Sequence, residues 1–350
     1  MARQGIPVNF VFSPSWWHQH CSIQFQEPFY LDLETRIEND MKMRKALYER
    51  FGPGFGERDP QPRPVIGSRH IAGGYAVPGS LGVPIRFIDD QGAWPIPMNL
   101  GRDAAMALRV PELANTWPMN IILPQIEELR ARFGYVVGDL NPGGLLNTAL
   151  EIRGQQFFLD LVEDAEVCDH VLGVVCETQI RICRAIRMAT GTCAVSTNRS
   201  VLDADASLCL TSNCSTHMIA RRLYEERILP YELKLAQALR PFGVHHCGSN
   251  LHKYAPAYRQ LDARFFDVGW GSHVAEVSEQ LPGAFLNLRM NPVRVMQCPA
   301  DEIYEDAARL LRECGRRELV GICCINMDHS TPDENVRAIL RAAADYGRSL

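Results

Sequence analysis

The sequence predicts an α/β protein built as a (β/α)8 TIM barrel with an irregular N-terminal extension. Three observations lead there. From about residue 119 onward, short apolar runs alternate with longer stretches of helical periodicity, which is the pattern of a parallel sheet with crossover helices. The 350 residues exceed the roughly 250 typical of such a barrel, and the surplus fits N-terminal additions. An open doubly wound sheet is the alternative, but no glycine-rich dinucleotide loop follows any of the apolar runs.

The N-terminal third is rich in Pro and Gly between Phe51 and Pro97, which favours loops and short strands. Within it, residues 8–12 read as a strand. Residues 32–51 read as a helix, acidic in its first turn (Asp32, Glu34) and basic later (Lys42, Arg44, Lys45), as the helix dipole prefers. Further on, helices are expected at about 119–133, through 144–190, and at 216–239, 253–262, 273–280, 300–315 and 332–347. Strands are expected at 135–139, 192–196, 243–246, 264–268, 284–288 and 319–325. Pro299 opens the helix at 300 and Gly315 suits its C-terminal cap. Thr331-Pro332-Asp333-Glu334 supplies a cap followed by a proline in the first turn of the last helix. These six strands, with two more from the N-terminal third, complete eight. A division follows: 1–120 carries the extension, the first barrel elements and a wall of the substrate pocket, and 121–350 carries the remaining barrel and the site, within one structural domain.

Composition narrows the function. A hydrophobic content of 46% supplies a sizeable core, and a net charge of −5 disfavours nucleic acid and anionic membrane surfaces as partners. No run of about 18 apolar residues is present, and the N-terminus lacks the apolar region of a signal peptide. The 12 cysteines are irregularly spaced, and with no secretory signal they are expected to be reduced thiols of a cytoplasmic protein.

The chemistry concentrates in Val244-His245-His246-Cys247-Gly248. Residues two apart on an extended segment face the same side, so His245 and Cys247 can address one ion. A second apolar run, residues 319–325, ends in Cys323-Cys324. Adjacent side chains point oppositely, so one of the two should complete the set, and Cys324 lies nearer the strand's end. An imidazole and two thiolates make a three-ligand zinc site with one position open. The bland alternative is a hydrogen-bonded histidine and cysteines buried in a strand. Elsewhere, Trp16 to Glu27 reads as a pocket wall, with indole faces for an apolar ring and His18, His20 and Glu27 for polar contacts or proton transfer, or else as a plug packed on the barrel. Asp203 and Asp205, after the expected strand at 192–196, are placed at the mouth as cofactor contacts, with a solvated loop as the alternative.

Residues 221–347 resemble the uroporphyrinogen decarboxylase superfamily, and within it the zinc-containing methyltransferases that work with corrinoid proteins. The likeness is carried by Tyr224 to Tyr231, by His245-His246-Cys247-Gly248-Ser249-Asn250, by Asn291-Pro292, and by Gly321 to Cys324 followed by Ser330-Thr331-Pro332-Asp333-Glu334-Asn335. Leu150-Glu151-Ile152-Arg153-Gly154 and Asp160 to Asp164 match the middle helices. The resemblance implies a (β/α)8 barrel, zinc held by His245, Cys247 and Cys324, and a methyl group moved between a small methylated substrate, such as an O-methyl aromatic, and the cobalt of a corrinoid (cobalamin) borne by a partner protein. The chain departs from the pattern at the third ligand, where the family has a Gly-Cys-Gly turn. No arginine stands between Gln4 and Arg36, which argues against a polycarboxylated tetrapyrrole substrate. No D-x-H-x-x-G corrinoid motif is present, so the cofactor should arrive on the partner. A thiol-methylating enzyme of the same family and a metal-free decarboxylase-like lyase are the alternatives.

Overall fold

The computed structural model describes residues 5–68, 70–191, 205 and 207–348. Among the described residues ten strands form: β1 (Val8–Phe12), β2 (Val65–Gly67), β3 (Ile85–Ile88), β4 (Gly92–Pro95), β5 (Val137–Asp139), β6 (Cys209–Ser212), β7 (Phe242–His246), β8 (Phe265–Val268), β9 (Phe285–Arg289) and β10 (Val320–Met327). Six of them make one parallel sheet in the order β1-β10-β9-β8-β7-β6, β2 pairs in parallel with β5, and β3 and β4 form an antiparallel hairpin. The first strand therefore lies beside the last, which brings the N-terminal segment into the main sheet. The two parallel arcs meet where the Ser212 N–H donates to the Gly143 carbonyl at 2.8 Å. Among the described residues no strand ladder runs from β1 to β2 or from β5 to β6.

The strands of the main sheet are buried almost throughout, as a parallel sheet covered on both faces requires. The helices carry apolar stripes toward it. Ala300–Cys314 buries Ile303, Ala307 and Leu311 four residues apart, and Asp333–Arg348 buries Val336, Ile339 and Ala343 three and four residues apart.

Several elements differ from the sequence expectation, each for a local reason. The expected strand at 192–196 lies outside the described residues, and the strand before β7 is β6. Four residues without polar alternation, Cys209-Leu210-Thr211-Ser212, offered no periodic signal. The long helical stretch is three helices, Leu145–Arg153, Gln156–Glu163 and Ala165–Thr190. Gly154 breaks it with a φ of +67°, and the Asp164 side chain caps the third helix by accepting from the Val167 N–H at 3.2 Å. The stretch 216–239 is likewise interrupted by a π turn at Tyr224–Ile228 before Leu229–Ala238. Asp32 caps Leu33–Phe51 as its acidic first turn suggested, accepting from the Thr35 N–H at 2.8 Å. No helix among the described residues is long and apolar enough to cross a membrane.

The closing motif is structural. Asn335, 1% exposed, donates from Nδ2 to the carbonyls of Val295 and Cys298 at 2.8 Å each, tying the last helix to the segment after β9. Asn335→Ala strands two buried carbonyls. It should lower stability by about 1–3 kcal/mol in urea unfolding while leaving metal content unchanged.

Candidate metal centre and cavity

A cavity of about 940 Å³ opens at the C-terminal ends of the strands, the face on which barrel enzymes carry their chemistry. Its floor is made by strand ends that lie in register. Ser212, His245, Asp267, Asn287 and Gly321 are successive Cα partners across β6, β7, β8, β9 and β10, and Arg289 pairs with Cys323 one step higher. Side chains two residues apart on one strand share a face, so this register collects polar groups on the inner side.

They are joined in a continuous chain. His245 Nδ1 meets Asp267 Oδ2 at 2.7 Å, and Asn287 Nδ2 donates to the other Asp267 oxygen at 2.6 Å and to Cys323 Sγ at 3.1 Å. At the other side of the ring, His245 Nε2 lies 2.9 Å from Cys247 Sγ. Cys247 accepts from Cys214 Sγ at 3.1 Å and from Arg289 Nη1 at 3.2 Å. Cys214 is delivered by the loop after β6. That loop is pinned by Asn147, whose Oδ1 accepts from the Ser215 N–H at 2.9 Å and whose Nδ2 donates to the Ser212 carbonyl at 3.1 Å.

The protonation states follow from these contacts. Cys247 is held well below the usual thiol range, because Cys214 donates to its sulfur and the His245 and Arg289 cations outweigh its burial. Cys214 is pushed the other way by its bond to Cys247 and by burial, so it stays a thiol. Burial works against a charge on His245, yet the Cys247 thiolate and the Asp267 carboxylate raise it to about 9. Burial likewise opposes Arg289, which Cys247, Cys323 and Asp267 hold firmly protonated. One thiolate and one carboxylate thus balance one imidazolium and one guanidinium.

The donor set fits a divalent ion of zinc type. Cys214, His245 and Cys247 present their ligand atoms within 4.8 Å of one another. Tetrahedral zinc places sulfur–sulfur and sulfur–nitrogen edges at about 3.8 and about 3.5 Å, so the 3.1 Å Cys214–Cys247 and 2.9 Å His245–Cys247 edges would open by about 0.6–0.7 Å to accept an ion. The Asp267 carboxylate on Nδ1 fixes the ring with Nε2 directed at the cluster, the arrangement that orients metal-binding histidines. An ion would displace the imidazole proton and the Cys214 proton, exchanging two positive charges for two and leaving the buried charge unchanged.

Of the residues singled out from sequence, the structure brings His245 and Cys247 together and leaves Cys324 out. Cys324 points from β10 to the opposite face, into the main hydrophobic core, where burial pushes its thiol up to about 12. Its neighbour Cys323 faces inward with Val11 and Ile325 and accepts from Asn287. The sulfur beside Cys247 is that of Cys214.

His18, His20 and Glu27 do not line the cavity. His18 Nδ1 contacts the Ile23 carbonyl, and His20 lies between Arg50 and the His329 carbonyl on the surface. Glu27 is exposed at a helix start. Trp16 and Trp17 are buried against Phe12, so this segment is the packed plug rather than the pocket wall. The indole that does reach the cavity is Trp94 of β4. Asp205 precedes β6 and therefore sits at the far end of the strands from the mouth, its carboxylate engaged by Ser207. Asp203 lies outside the described residues. His246, packed between Tyr258 and Asn250 and lowered to about 4 by burial, is a neutral structural histidine.

Asp267 and Asn287 carried a signal in the sequence. Each interrupts an apolar run, and a buried polar group of that kind needs a partner.

Comparison with known proteins agrees with this architecture. The fold is a parallel α/β arrangement with a polar cavity at the strand ends. The family model described as uroporphyrinogen decarboxylase (URO-D) matches residues 169–346, half of the chain, and the chain belongs to that family. Among solved structures, a methyltransferase from Methanosarcina mazei superposes with a TM-score of 0.66 at 16% identity, covering 98% of this chain and 95% of that one. No curated protein sequence matches at a significant level.

Replacing the third ligand discriminates the two sulfurs. Cys214→Ser should lower divalent-metal retention at least tenfold, whereas Cys324→Ser should retain it, both measured by elemental analysis after dialysis. Asp267→Asn should weaken retention by about 10- to 100-fold through loss of ring orientation.

Proposed function

We propose that this chain is a zinc-dependent methyltransferase. It moves a methyl group between a small methylated substrate and the cobalt of a corrinoid carried by a cytoplasmic partner protein, on a closed (β/α)8 barrel. The observation that carries the reading is the Cys214–His245–Cys247 cluster at the floor of the 940 Å³ cavity, with its imidazole oriented by Asp267. Family membership and the likeness to a methyltransferase structure support it.

When bound, the ion supplies Lewis acidity to the atom that carries the methyl group. The chain's own residues do the rest. Cys214, His245 and Cys247 would hold the ion. Asp267 and Asn287 keep the imidazole in one orientation. Arg289 offsets negative charge on Cys247 and so moderates how strongly the cluster donates. The cavity lining mixes these polar groups with Ala72, Gly73, Pro78, Pro95 and Pro97, a surface suited to a small organic molecule. An O-methyl aromatic remains the favoured substrate, now facing Trp94 rather than Trp16 and Trp17.

Purified wild type should contain about one zinc per chain. With free cob(I)alamin standing in for the partner, it should convert methyl donors into methylcobalamin, followed by its absorption spectrum. Zinc-free wild type that yields no methylcobalamin would sink the reading and favour a metal-free lyase.

A further inference from the structure

The cavity holds a second reactive group that the metal centre does not use. Glu151 lies on helix Leu145–Arg153, one turn beyond Asn147, and both line the cavity. Residues four apart lie on one face of a helix about 6 Å apart along its axis. Asn147 pins the loop that carries Cys214, and Glu151 sits one turn farther along the same wall of the same cavity.

Arg153, two residues on, is paired with Asp160. The Glu151 carbonyl accepts from the Met98 N–H at 2.9 Å, which holds the segment after Trp94, Pro95 and Pro97 against this helix. The Glu151 carboxyl is different: Oε2 is buried and has no hydrogen-bond partner. A buried carboxylate with no cation to pair with is costly, whereas a neutral carboxylic acid can wait for an acceptor.

Resting on the function proposed above, we propose that Glu151 is the general acid of methyl transfer, and that the donor is a methyl ether whose leaving oxygen takes the Glu151 proton. In this step the cobalt(I) electron pair forms the new cobalt–carbon bond and the methyl carbon–oxygen bond breaks. Its electrons stay on oxygen, which binds the proton of the Glu151 carboxyl. Cobalt ends as methyl-cobalt(III), the donor leaves as the free alcohol or phenol, and Glu151 ends as a carboxylate.

An alcohol is a poor leaving group without a proton, so an acid on the wall has a task that a substrate with a neutral leaving group would not set. The protonation state agrees. Burial alone pushes Glu151 up to about 8, so the acid is mostly protonated at neutral pH and able to give its proton up. The other titratable groups of the cavity are Asp90, Asp328 and His329 at the rim and the Cys214, His245, Cys247 and Arg289 group at the floor. None of them is a cause of this shift.

The test compares zinc-loaded wild type with E151Q, and with E151D, which keeps an acid on a shorter stem. The donors are methoxybenzene and 4-cyanomethoxybenzene, with free cob(I)alamin as acceptor. E151Q should lose about 100-fold or more with methoxybenzene. It should lose less than about threefold with the cyano compound, whose phenolate leaves without help, and E151D should recover part of the loss. The wild-type rate should fall above pH about 8, a limb missing from E151Q. Infrared difference titration should show a protonated-carboxyl band that disappears near the same pH and is absent in E151Q. Equal losses for both donors, a pH limb that persists in E151Q, or a carboxylate already ionised at pH 7 would overturn the role of Glu151 while leaving the proposed function standing. Absence of zinc together with no methyl transfer in wild type would overturn both.

Discussion

The site depends on strand register. His245, Asp267 and Asn287 come from three neighbouring parallel strands, and their side chains meet only because their Cα atoms share one rung. A slip of one residue on any of these strands would turn a buried polar group toward the helix layer and leave its partner unsatisfied. Each such group costs about 1–3 kcal/mol when stranded. The chain of bonds from Cys323 through Asn287 and Asp267 to His245 therefore selects the register as much as it uses it. The apolar runs around these residues fix that strands form and where they are buried, and the polar residues within them fix how the strands align.

That dependence also explains what could be read beforehand. His245 and Cys247 are legible because a spacing of two on one strand is a local relation, settled by the pleat alone. Cys214 is not, because its place depends on a four-residue strand with no alternation and on a loop anchored by Asn147, which lies 67 positions earlier in the chain. Between Cys323 and Cys324 the sequence offered two faces and no way to tell which was inward. Pairing of Cys323 with Arg289 settles that, and it puts the residue nearer the strand's end into the core. The alternation of strands and helices over the last two-thirds was legible for a similar reason, since periodicity is local. The joining of β1 to β10 was not, because nothing near Val8 announces a partner more than 300 residues away.

Charge gives the floor of the cavity a second constraint. A thiolate, a carboxylate, an imidazolium and a guanidinium are all taken out of water there. Any one alone would be strongly unfavourable, and the four persist because they alternate in sign and hydrogen-bond to one another. Such an arrangement is already prepared for a metal ion. The ion replaces two protons without changing the buried charge, so the surrounding strands need not rearrange to accept it.

Burial acts on the wall and the floor alike and produces opposite protonation states. At Glu151 desolvation meets no opposing charge, and the carboxyl keeps its proton. At Cys247 desolvation is outweighed by the cations beside it, and the thiol gives its proton up. A cavity that holds, at one pH, an acid able to donate and a thiolate able to bind a metal has separated the two functions by local charge alone. That separation needs distance. Were Arg289 or His245 to lie beside Glu151, the acid would ionise and pair with the cation, and the thiolate would lose the charge that sustains it. The placement of both cations among the strand ends, with the acid on the wall helix one turn beyond Asn147, is the feature that keeps a proton donor and a soft metal ligand in a single cavity.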